Sequence, residues 1–129
     1  MGKRIVILFS DTGGGHRSAG EAIQEALQAR HGGEAQVELV DALTYYAPTP
    51  FNHLAAWYPT MIARGRATWG VGYWLSNGRR RIRTVLDLLW PYVRRAVRRC
   101  LREHPADVYV SVHPLLTQVL RGLGAGRPP

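Results

Sequence analysis

The sequence predicts an α/β fold, a Rossmann-like parallel sheet with helices on its faces. Short apolar runs rich in β-branched residues have the pattern of strands buried on both faces, at 4–9, 36–41 and 108–112. Segments with helical periodicity separate these runs. Strands that alternate with helices form parallel sheets with right-handed crossovers, because a parallel pair needs a long connection.

The first strand, 4–9, ends at a glycine-rich turn, and a helix follows it. Ala19, Ile23 and Leu27 recur at helical spacing, and the Gly-Gly pair at 32 and 33 ends a helix of about fifteen residues. The run 36–41 alternates before it turns apolar, which predicts a second strand parallel to the first. Residues 1–41 are therefore predicted to form a β-α-β unit.

The middle of the chain, 42–78, is crowded with prolines and aromatic residues. Pro48, Pro50 and Pro59 interrupt any regular period there, and glycines are frequent from residue 65 onward. We predict a short helix over 51–63 and an irregular glycine-rich segment over 65–78.

A long amphipathic helix begins at Arg80. Its apolar residues follow a 3.6-residue period, and arginines occupy the other face. We predict a kink or a restart at Pro91, because proline removes a helical hydrogen bond. Cys100 lies on the apolar stripe, which predicts a buried small hydrophobe and not a nucleophile. The third strand, 108–112, and a last helix over 115–123 complete the order of elements.

The composition is that of one globular domain spanning residues 1–129, with 46% hydrophobic and 20% charged residues. It excludes the disordered, collagen-like and disulfide-stapled classes. Cys100 is the single cysteine, so a reducing compartment is the simplest interpretation. The longest apolar run, 5–9, is far shorter than the roughly 20 residues of a membrane span. We therefore predict neither a signal peptide nor a transmembrane segment.

The net charge of +8 is concentrated in one stretch of the chain. Between Arg64 and Arg102 there are 11 arginines and a single acid, Asp87. A basic charge confined to one stretch favours a surface that meets polyanions, either phospholipid headgroups or nucleic acid. The alternative is a solvated helix face with no partner.

The glycine-rich turn, Ser10-Asp-Thr-Gly-Gly-Gly-His-Arg-Ser18, lies between a strand and a helix. Backbone N–H groups at such a turn suit an anion. The turn is not a Walker A loop, because no Gly-Lys-Ser/Thr follows it. It is closer to a dinucleotide fingerprint, with Gly13 and Gly15 in the first two places and Asp41 as a ribose-binding acid, but Ser18 takes the third place. An ordinary strand-to-helix turn remains an alternative.

Two histidines are predicted to meet at the carboxyl edge of the sheet. His16 opens the first helix, and His113 follows the third strand. The positive end of a helix dipole favours a neutral imidazole, which can act as a general base toward a hydroxyl. A capping or solvated histidine is the alternative. His31, His53 and His104 are scattered over turns and helix ends, so we predict no metal site.

These motifs resemble the monogalactosyldiacylglycerol synthases and the processive diacylglycerol glucosyltransferases over nearly the whole chain. The resemblance rests on the turn 10–18, the strand end Val40-Asp41, the aromatic middle, and the segment from Pro105 to Leu116 that contains Ser111-Val-His-Pro114. It implies the N-terminal, acceptor-side domain of a GT-B glycosyltransferase. Such an enzyme transfers a hexose from a UDP-sugar to the hydroxyl of diacylglycerol, with inversion, without a metal and without a cofactor.

The resemblance also implies roles for single residues. His16 maps onto the family's proposed base, and the loop of Gly13, Gly14 and Gly15 faces the donor diphosphate. Three further residues are predicted at the acceptor edge of the site: Asp11, Ser111 and His113. Family members continue into a second domain that binds the UDP-sugar and that this chain lacks, so we expect residues 1–129 alone to be inactive.

Diacylglycerol stays in the bilayer, so the implied enzyme must dock at a membrane. Arginine pairs with anionic headgroups and aromatic rings favour the lipid–water interface. We predict a peripheral protein on the cytoplasmic, inner face of the cell membrane, with a set of membrane-facing residues: Trp69, Tyr73, Trp74, Arg79, Arg80, Arg81 and Arg83. The opposing interpretation makes these tryptophans core residues. The alternative functions are a non-catalytic nucleotide-binding Rossmann module and an anion- or nucleic-acid-binding domain; nucleic acid is disfavoured because the aromatic residues are interleaved with prolines.

Overall fold

The computed structural model describes residues 2–12 and 14–124. At ten helical positions it describes the backbone without the side chain: Leu54, Arg66, Thr68, Trp69, Leu75, Ser76, Arg79, Ile82, Val85 and Leu86.

The described chain contains a parallel sheet of three strands in the order β2-β1-β3. These are β1 (Lys3–Phe9), β2 (Ala35–Asp41) and β3 (Val108–Ser111). In the register, Val6 of β1 lies opposite Glu38 of β2 and Tyr109 of β3. The predicted α/β class is confirmed, and each strand begins and ends within one residue of its predicted bounds.

One face of the sheet is covered by α1 (Gly15–His31). Gly20 is the buried residue of this helix, and a Cβ there would lie 2.7 Å from Cδ1 of Leu39. The side chain of Gln24 donates to the carbonyl of Val37 in β2 at 3.0 Å. The helix therefore approaches the strand closely because glycine stands where they cross.

The main core lies on the other face, beneath α2 (Ala42–Tyr46), α5 (Arg79–Glu103) and α6 (Pro114–Gly124). It joins sheet residues to both long helices: Val6, Leu8, Val40, Val93, Val97, Cys100, Leu116 and Val119. Burial raises the pKa of the Cys100 thiol to about 12. Cys100 is thus an inert part of the core, as predicted.

A polar cluster fixes α2 to the carboxyl end of α5. His104 lies between two partners, with Nδ1 2.7 Å from Oε1 of Glu38 and Nε2 2.8 Å from the Tyr46 hydroxyl. The same hydroxyl donates to Glu103 at 2.8 Å, and burial and this bond raise the pKa of Tyr46 to about 12. The cluster therefore sets the direction in which the chain leaves β2.

The middle of the chain is more helical than the sequence predicts. A 3₁₀ turn (Phe51–His53) leads into α3 (Leu54–Ala63), as expected, but the segment predicted to be irregular contains α4 (Arg66–Ser76). The prediction of an irregular segment was wrong because only some of these glycines end a helix. Gly65 and Gly78 have positive φ values of 89° and 153° and flank the helix, while the other glycines lie inside it.

The sequence predicts a kink or a restart of α5 at Pro91, and the restart is wrong. The helix continues across Pro91 as a single helix of 25 residues and does not restart. Pro91 and Asp87, whose carbonyl loses its helical partner, are both exposed, so water can satisfy that carbonyl. Among the described residues, no helix is long and apolar enough to cross a bilayer.

Candidate functional site

The carboxyl edge of the sheet brings His16 and His113 together. His16 lies in the first turn of α1, and His113 follows β3. Their ring centroids are 4.6 Å apart and the rings are tilted by 56°. The two sequence segments are far apart, and the parallel strands bring them to one place.

His16 is held by the backbone that leaves β3. Its Nδ1 lies 2.8 Å from the carbonyl oxygen of Val112. A carbonyl oxygen only accepts hydrogen bonds, so Nδ1 carries a proton and, in the neutral imidazole, Nε2 carries the free lone pair. The contact therefore fixes the tautomer of a neutral His16, with the lone pair on Nε2.

His113 is in a different environment, although its ring is adjacent. Its Nδ1 is buried and has no hydrogen-bond partner in the part of the chain that the structure describes. Burial lowers the pKa of His113, and the neighbouring His16 lowers it further, against an opposing effect of Asp41. His113 is therefore favoured in its neutral form.

Ser111 serves the backbone of the turn that carries His113. Its hydroxyl donates to the carbonyl oxygen of His113 at 3.0 Å and accepts from the amide of His113 at 3.3 Å. Thr117 of α6 lies 3.0 Å from both the Ser111 hydroxyl and the same carbonyl. These bonds fix the turn, so Ser111 shapes the edge of the site through its neighbour.

The N-terminus of α1 is open. Gly14 has a φ of 77°, and no side chain caps the helix. A Cβ at Gly14 or Gly15 would meet no atom within 4 Å, so the backbone here is approachable by a ligand. Gly13, the third residue assigned to this loop, lies outside the described residues.

Asp11 is paired with Arg17, a residue that the sequence analysis did not single out. Nη2 and Nε of Arg17 donate to Oδ2 of Asp11 at 2.9 and 3.2 Å, and the guanidinium lies 5.0 Å from the centroid of the Phe9 ring. The carboxylate of Asp11 therefore braces the loop against α1. The position of Arg17 in the first turn is the one sequence signal that could have indicated this pair.

Asp41 is buried, with 5% of its surface exposed. Its Oδ1 accepts from the amide of Thr44 at 2.9 Å, and Oδ2 accepts from the Thr44 hydroxyl at 2.7 Å and from the amide of Asp11 at 3.2 Å. It caps α2 and binds the loop after β1. A carboxylate engaged in this way is not available to a ribose, which disfavours the dinucleotide interpretation.

A groove of about 520 Å³ runs from His113 between α5 and α6. Its walls combine apolar side chains with polar ones: Trp90, Pro114, Leu115, Arg83, Asp87 and Gln118. Leu115 also lines a smaller pocket of about 40 Å³, whose other walls are apolar: Leu43, Ala47, Pro48, Phe51, Leu89, Tyr92 and Val93. An amphipathic groove therefore begins at His113, whose ring is adjacent to that of His16, and no motif in the sequence indicated it.

Tyr73 and Trp74 of α4 are exposed at 61% and 59%, so the interpretation of Trp74 as a core residue is wrong. Arg81 stacks over the Trp74 ring at 4.2 Å and donates to its carbonyl at 2.9 Å. Arg80 is exposed, and Arg83 borders the groove. The side chains of the two remaining membrane-facing candidates, Trp69 and Arg79, lie outside the described part of the chain.

The helix α3 adds exposed apolar surface that the sequence analysis did not assign to a function. Over its ten residues it carries no charge, and four large side chains are exposed: Trp57, Tyr58, Met61 and Ile62. It contacts the 3₁₀ turn before it and α4 after it. Apolar surface of this extent at the side of a basic stretch is typical of an interaction site.

Within residues 2–12 and 14–124, the structure shows no group of histidine, cysteine or carboxylate side chains that could hold a metal ion.

The chain matches a family model described as monogalactosyldiacylglycerol (MGDG) synthase over residues 16–125. It is 36% identical over 126 residues to the chloroplastic monogalactosyldiacylglycerol synthase of Spinacia oleracea, covering 95% of this chain and 24% of that protein. It is 35% identical over 117 residues to a probable chloroplastic monogalactosyldiacylglycerol synthase of Nicotiana tabacum, covering 91% and 22%. For the chloroplastic monogalactosyldiacylglycerol synthase 1 of Arabidopsis thaliana the identity is 34% over 117 residues, with the same coverage.

The chain thus spans about a quarter of the length of the curated relatives it matches. Their names place them in chloroplasts, which differs from the cytoplasmic membrane face predicted from the sequence. No solved structure matches the chain significantly.

Proposed function

The chain belongs to the monogalactosyldiacylglycerol synthase family, and from this membership we propose that it is the acceptor-side domain of an enzyme that transfers galactose from a UDP-sugar to diacylglycerol. The observation that carries the proposal is the bond from Nδ1 of His16 to the carbonyl of Val112. Because this bond leaves the Nε2 lone pair free, it supports His16 as the general base.

In the proposed step, the diacylglycerol hydroxyl gives its proton to Nε2 of His16. Its oxygen forms a bond to the anomeric carbon of the sugar. The bond from that carbon to the diphosphate breaks, and its electron pair leaves on the diphosphate oxygen. A single displacement of this kind inverts the anomeric centre, and it uses neither a metal nor a cofactor.

The open N-terminus of α1 is the proposed contact for the departing diphosphate. The amides near Gly14 and Gly15 are approachable, and a helix N-terminus stabilises negative charge as it develops. The UDP-sugar itself is proposed to bind mainly to a second domain, as the resemblance implies. Residues 1–129 alone are therefore expected not to turn over, because the proposed site for the UDP-sugar lies mainly outside them.

The domain is proposed to act as a peripheral membrane protein. Tyr73, Trp74 and the exposed apolar residues of α3 provide interfacial and apolar contacts beside the basic start of α5. Each arginine near an anionic surface contributes about 1 kcal/mol to the free energy of membrane binding. This docking would bring the groove beside His113 to a substrate that stays in the bilayer. The cytoplasmic, inner-face location remains a prediction.

Replacing His16 with Ala in the enzyme that carries this domain tests the proposal. We expect kcat to fall by roughly 10²- to 10⁴-fold, the usual contribution of a general base. Thermal stability should be nearly unchanged, because the His16 ring is at a loop edge and not in the core. His31→Ala, at the exposed end of α1, is the matched control and should keep full activity. Full activity of His16→Ala with a normal melting temperature would refute the role.

A further inference from the structure

The two imidazoles at the sheet edge hold their protons on opposite nitrogens. His16 has its proton on Nδ1, because that nitrogen faces the Val112 carbonyl. His113 has its Nδ1 buried without an acceptor among the described residues. A buried N–H without a partner costs about 1–3 kcal/mol, so the proton of neutral His113 belongs on Nε2.

The lowered pKa of His113 agrees with this assignment, because only a neutral ring leaves one nitrogen unprotonated. When both rings are neutral, they offer an acceptor, Nε2 of His16, and a donor, Nε2–H of His113. Their centroids are 4.6 Å apart, so two neighbouring oxygens of one ligand are of a size to reach both rings. A ligand with a hydroxyl beside a second oxygen matches this pair, because the hydroxyl can donate to His16 and the second oxygen can accept from His113.

The groove beside His113 suits a molecule that carries such a pattern at one end of an apolar chain. Trp90, Pro114 and Leu115 provide apolar wall next to the ring, and Leu115 also lines the small apolar pocket. Gln118 and Asp87 place polar groups along the same groove. The polar end therefore belongs at the histidine pair, and the chain belongs along the groove.

We propose that His113 is the residue that recognises the acceptor, its Nε2–H donating a hydrogen bond to an ester carbonyl oxygen of the glyceride whose free hydroxyl faces His16. In a 1,2-diacylglycerol the carbon adjacent to the hydroxyl-bearing carbon is esterified. The carbonyl oxygen of that ester therefore lies near enough to the hydroxyl to reach the neighbouring ring. His113 is then a specificity residue for esters over ethers. The inference rests on the proposed function, because it takes a glyceride as the acceptor.

The first experiment measures the protons directly on the 129-residue chain. Long-range ¹H–¹⁵N correlation spectra distinguish protonated from unprotonated ring nitrogens. We expect the Nδ1–H tautomer for His16 and the Nε2–H tautomer for His113 at pH 7.5. A proton on Nδ1 of His113, or a charged His113 at this pH, would overturn the proposal. This result is independent of whether the protein has transferase activity.

The second experiment compares two soluble probes on the same chain, dihexanoylglycerol, a diester, and dihexylglycerol, the matching diether. One neutral hydrogen bond corresponds to a roughly 3- to 10-fold difference in Kd, with the ester bound more tightly. Chemical-shift titration gives both constants. Equal affinities, or no binding of either probe, contradict the proposal.

Variants of His113 assign the difference to its ring. His113→Phe keeps a ring without a donor and should bring the ester-to-ether ratio close to one. His113→Gln places an amide N–H near the position of Nε2 and should retain most of the preference. Loss of the preference in folded His113→Gln would contradict the proposal even if the Phe variant did not fold. His31→Gln should behave as the wild type. An unchanged preference in folded His113→Phe would show that another group reads the ester. Loss of activity in His16→Ala tests the proposed function separately.

Discussion

Asp41 provides the sharpest test of how the site is held together, and Asp41→Ala is the perturbation. Its carboxylate caps α2 through the Thr44 amide and hydroxyl, and it accepts from the amide of Asp11 in the loop after β1. The substitution removes all three bonds at a position that is 5% exposed. The amides of Thr44 and Asp11 then lose their acceptor.

The expected loss of stability follows from these bonds. Loss of an N-cap costs about 1 kcal/mol, with a range of about 0.5–2. A buried amide left without an acceptor adds about 1–3 kcal/mol. Together they predict a decrease of about 2–4 kcal/mol in the free energy of unfolding. At about 4 °C per kcal/mol for a chain of this size, Tm falls by about 8–16 °C.

Thermal and urea unfolding followed by circular dichroism measure the effect. Asp41→Asn keeps one oxygen but places an N–H₂ group near two donors, so it should lie between wild type and Asp41→Ala. Asp87→Ala, at an exposed position on α5, is the control and should shift Tm by no more than about 2 °C. If both Asp41 variants melted like the wild type, the structural role derived from the three bonds of this carboxylate would be wrong.

Other predictions concern packing, pH and lipid. Gly20→Val should lower the free energy of unfolding by about 1–3 kcal/mol, since even a Cβ at this position would lie 2.7 Å from Leu39. The control Gly70→Val, where a Cβ has no neighbour within 4 Å, should change it by less than about 0.5 kcal/mol. Equal urea midpoints for the two variants would contradict the close crossing of α1 over β2. The lowered pKa of His113 predicts stability that is present above its ordinary value of 6.5 and is lost as pH falls through the folded pKa. His113→Gln should therefore flatten the pH dependence of the free energy of unfolding, measured with urea between about pH 7.5 and 5, by at most about 1.4 kcal/mol per pH unit. A pH dependence parallel to that of the wild type would exclude this contribution. The chain should co-sediment with anionic and not with neutral vesicles and should be released by salt, since the Debye length is only about 8 Å at 0.15 M. Arg80→Ala should weaken binding to anionic vesicles, and Trp74→Ala should weaken the binding that remains at high salt. The control Arg30→Ala, at the end of α1, should have no effect. Equal pelleting with anionic and neutral vesicles would rule out electrostatic docking.

The elements that depend on local pattern could be predicted from the sequence. Strands buried on both faces leave an apolar run, and the long helix α5 leaves a 3.6-residue period, so both were identified nearly to their ends. The helix α4 was missed because glycine lowers helix propensity wherever it stands, and sequence alone does not distinguish flanking Gly65 from internal Gly70. In the structure α4 contacts both α3 and α5, and a local pattern does not reveal such contacts between elements.

The candidate site was predictable in its members but not in their bonds. The parallel topology places His16 and His113 at one edge, which the order of strands and helices already implied. The acceptor for Nδ1 of His16 is a backbone carbonyl, which every residue possesses, so nothing in the sequence marks Val112. Asp41 resembled a ribose ligand because its place at the end of β2 is the same in either role, and only its hydrogen bonds distinguish the two.

The uneven burial of α5 has a consequence for how the molecule opens. The second half of α5 is buried in the core through Val93, Ala96, Val97 and Cys100. In the first half, the described side chains from Arg80 to Leu88 are exposed, and this first half follows α4 in the chain. Amide hydrogen exchange should therefore rise steeply toward the amino end of this single helix, because few buried contacts oppose local opening there. The sheet and the histidine pair would remain protected while α3, α4 and the start of α5 open and close as a separate unit. A bilayer that covers this unit would slow its exchange and leave the rest of the chain unchanged.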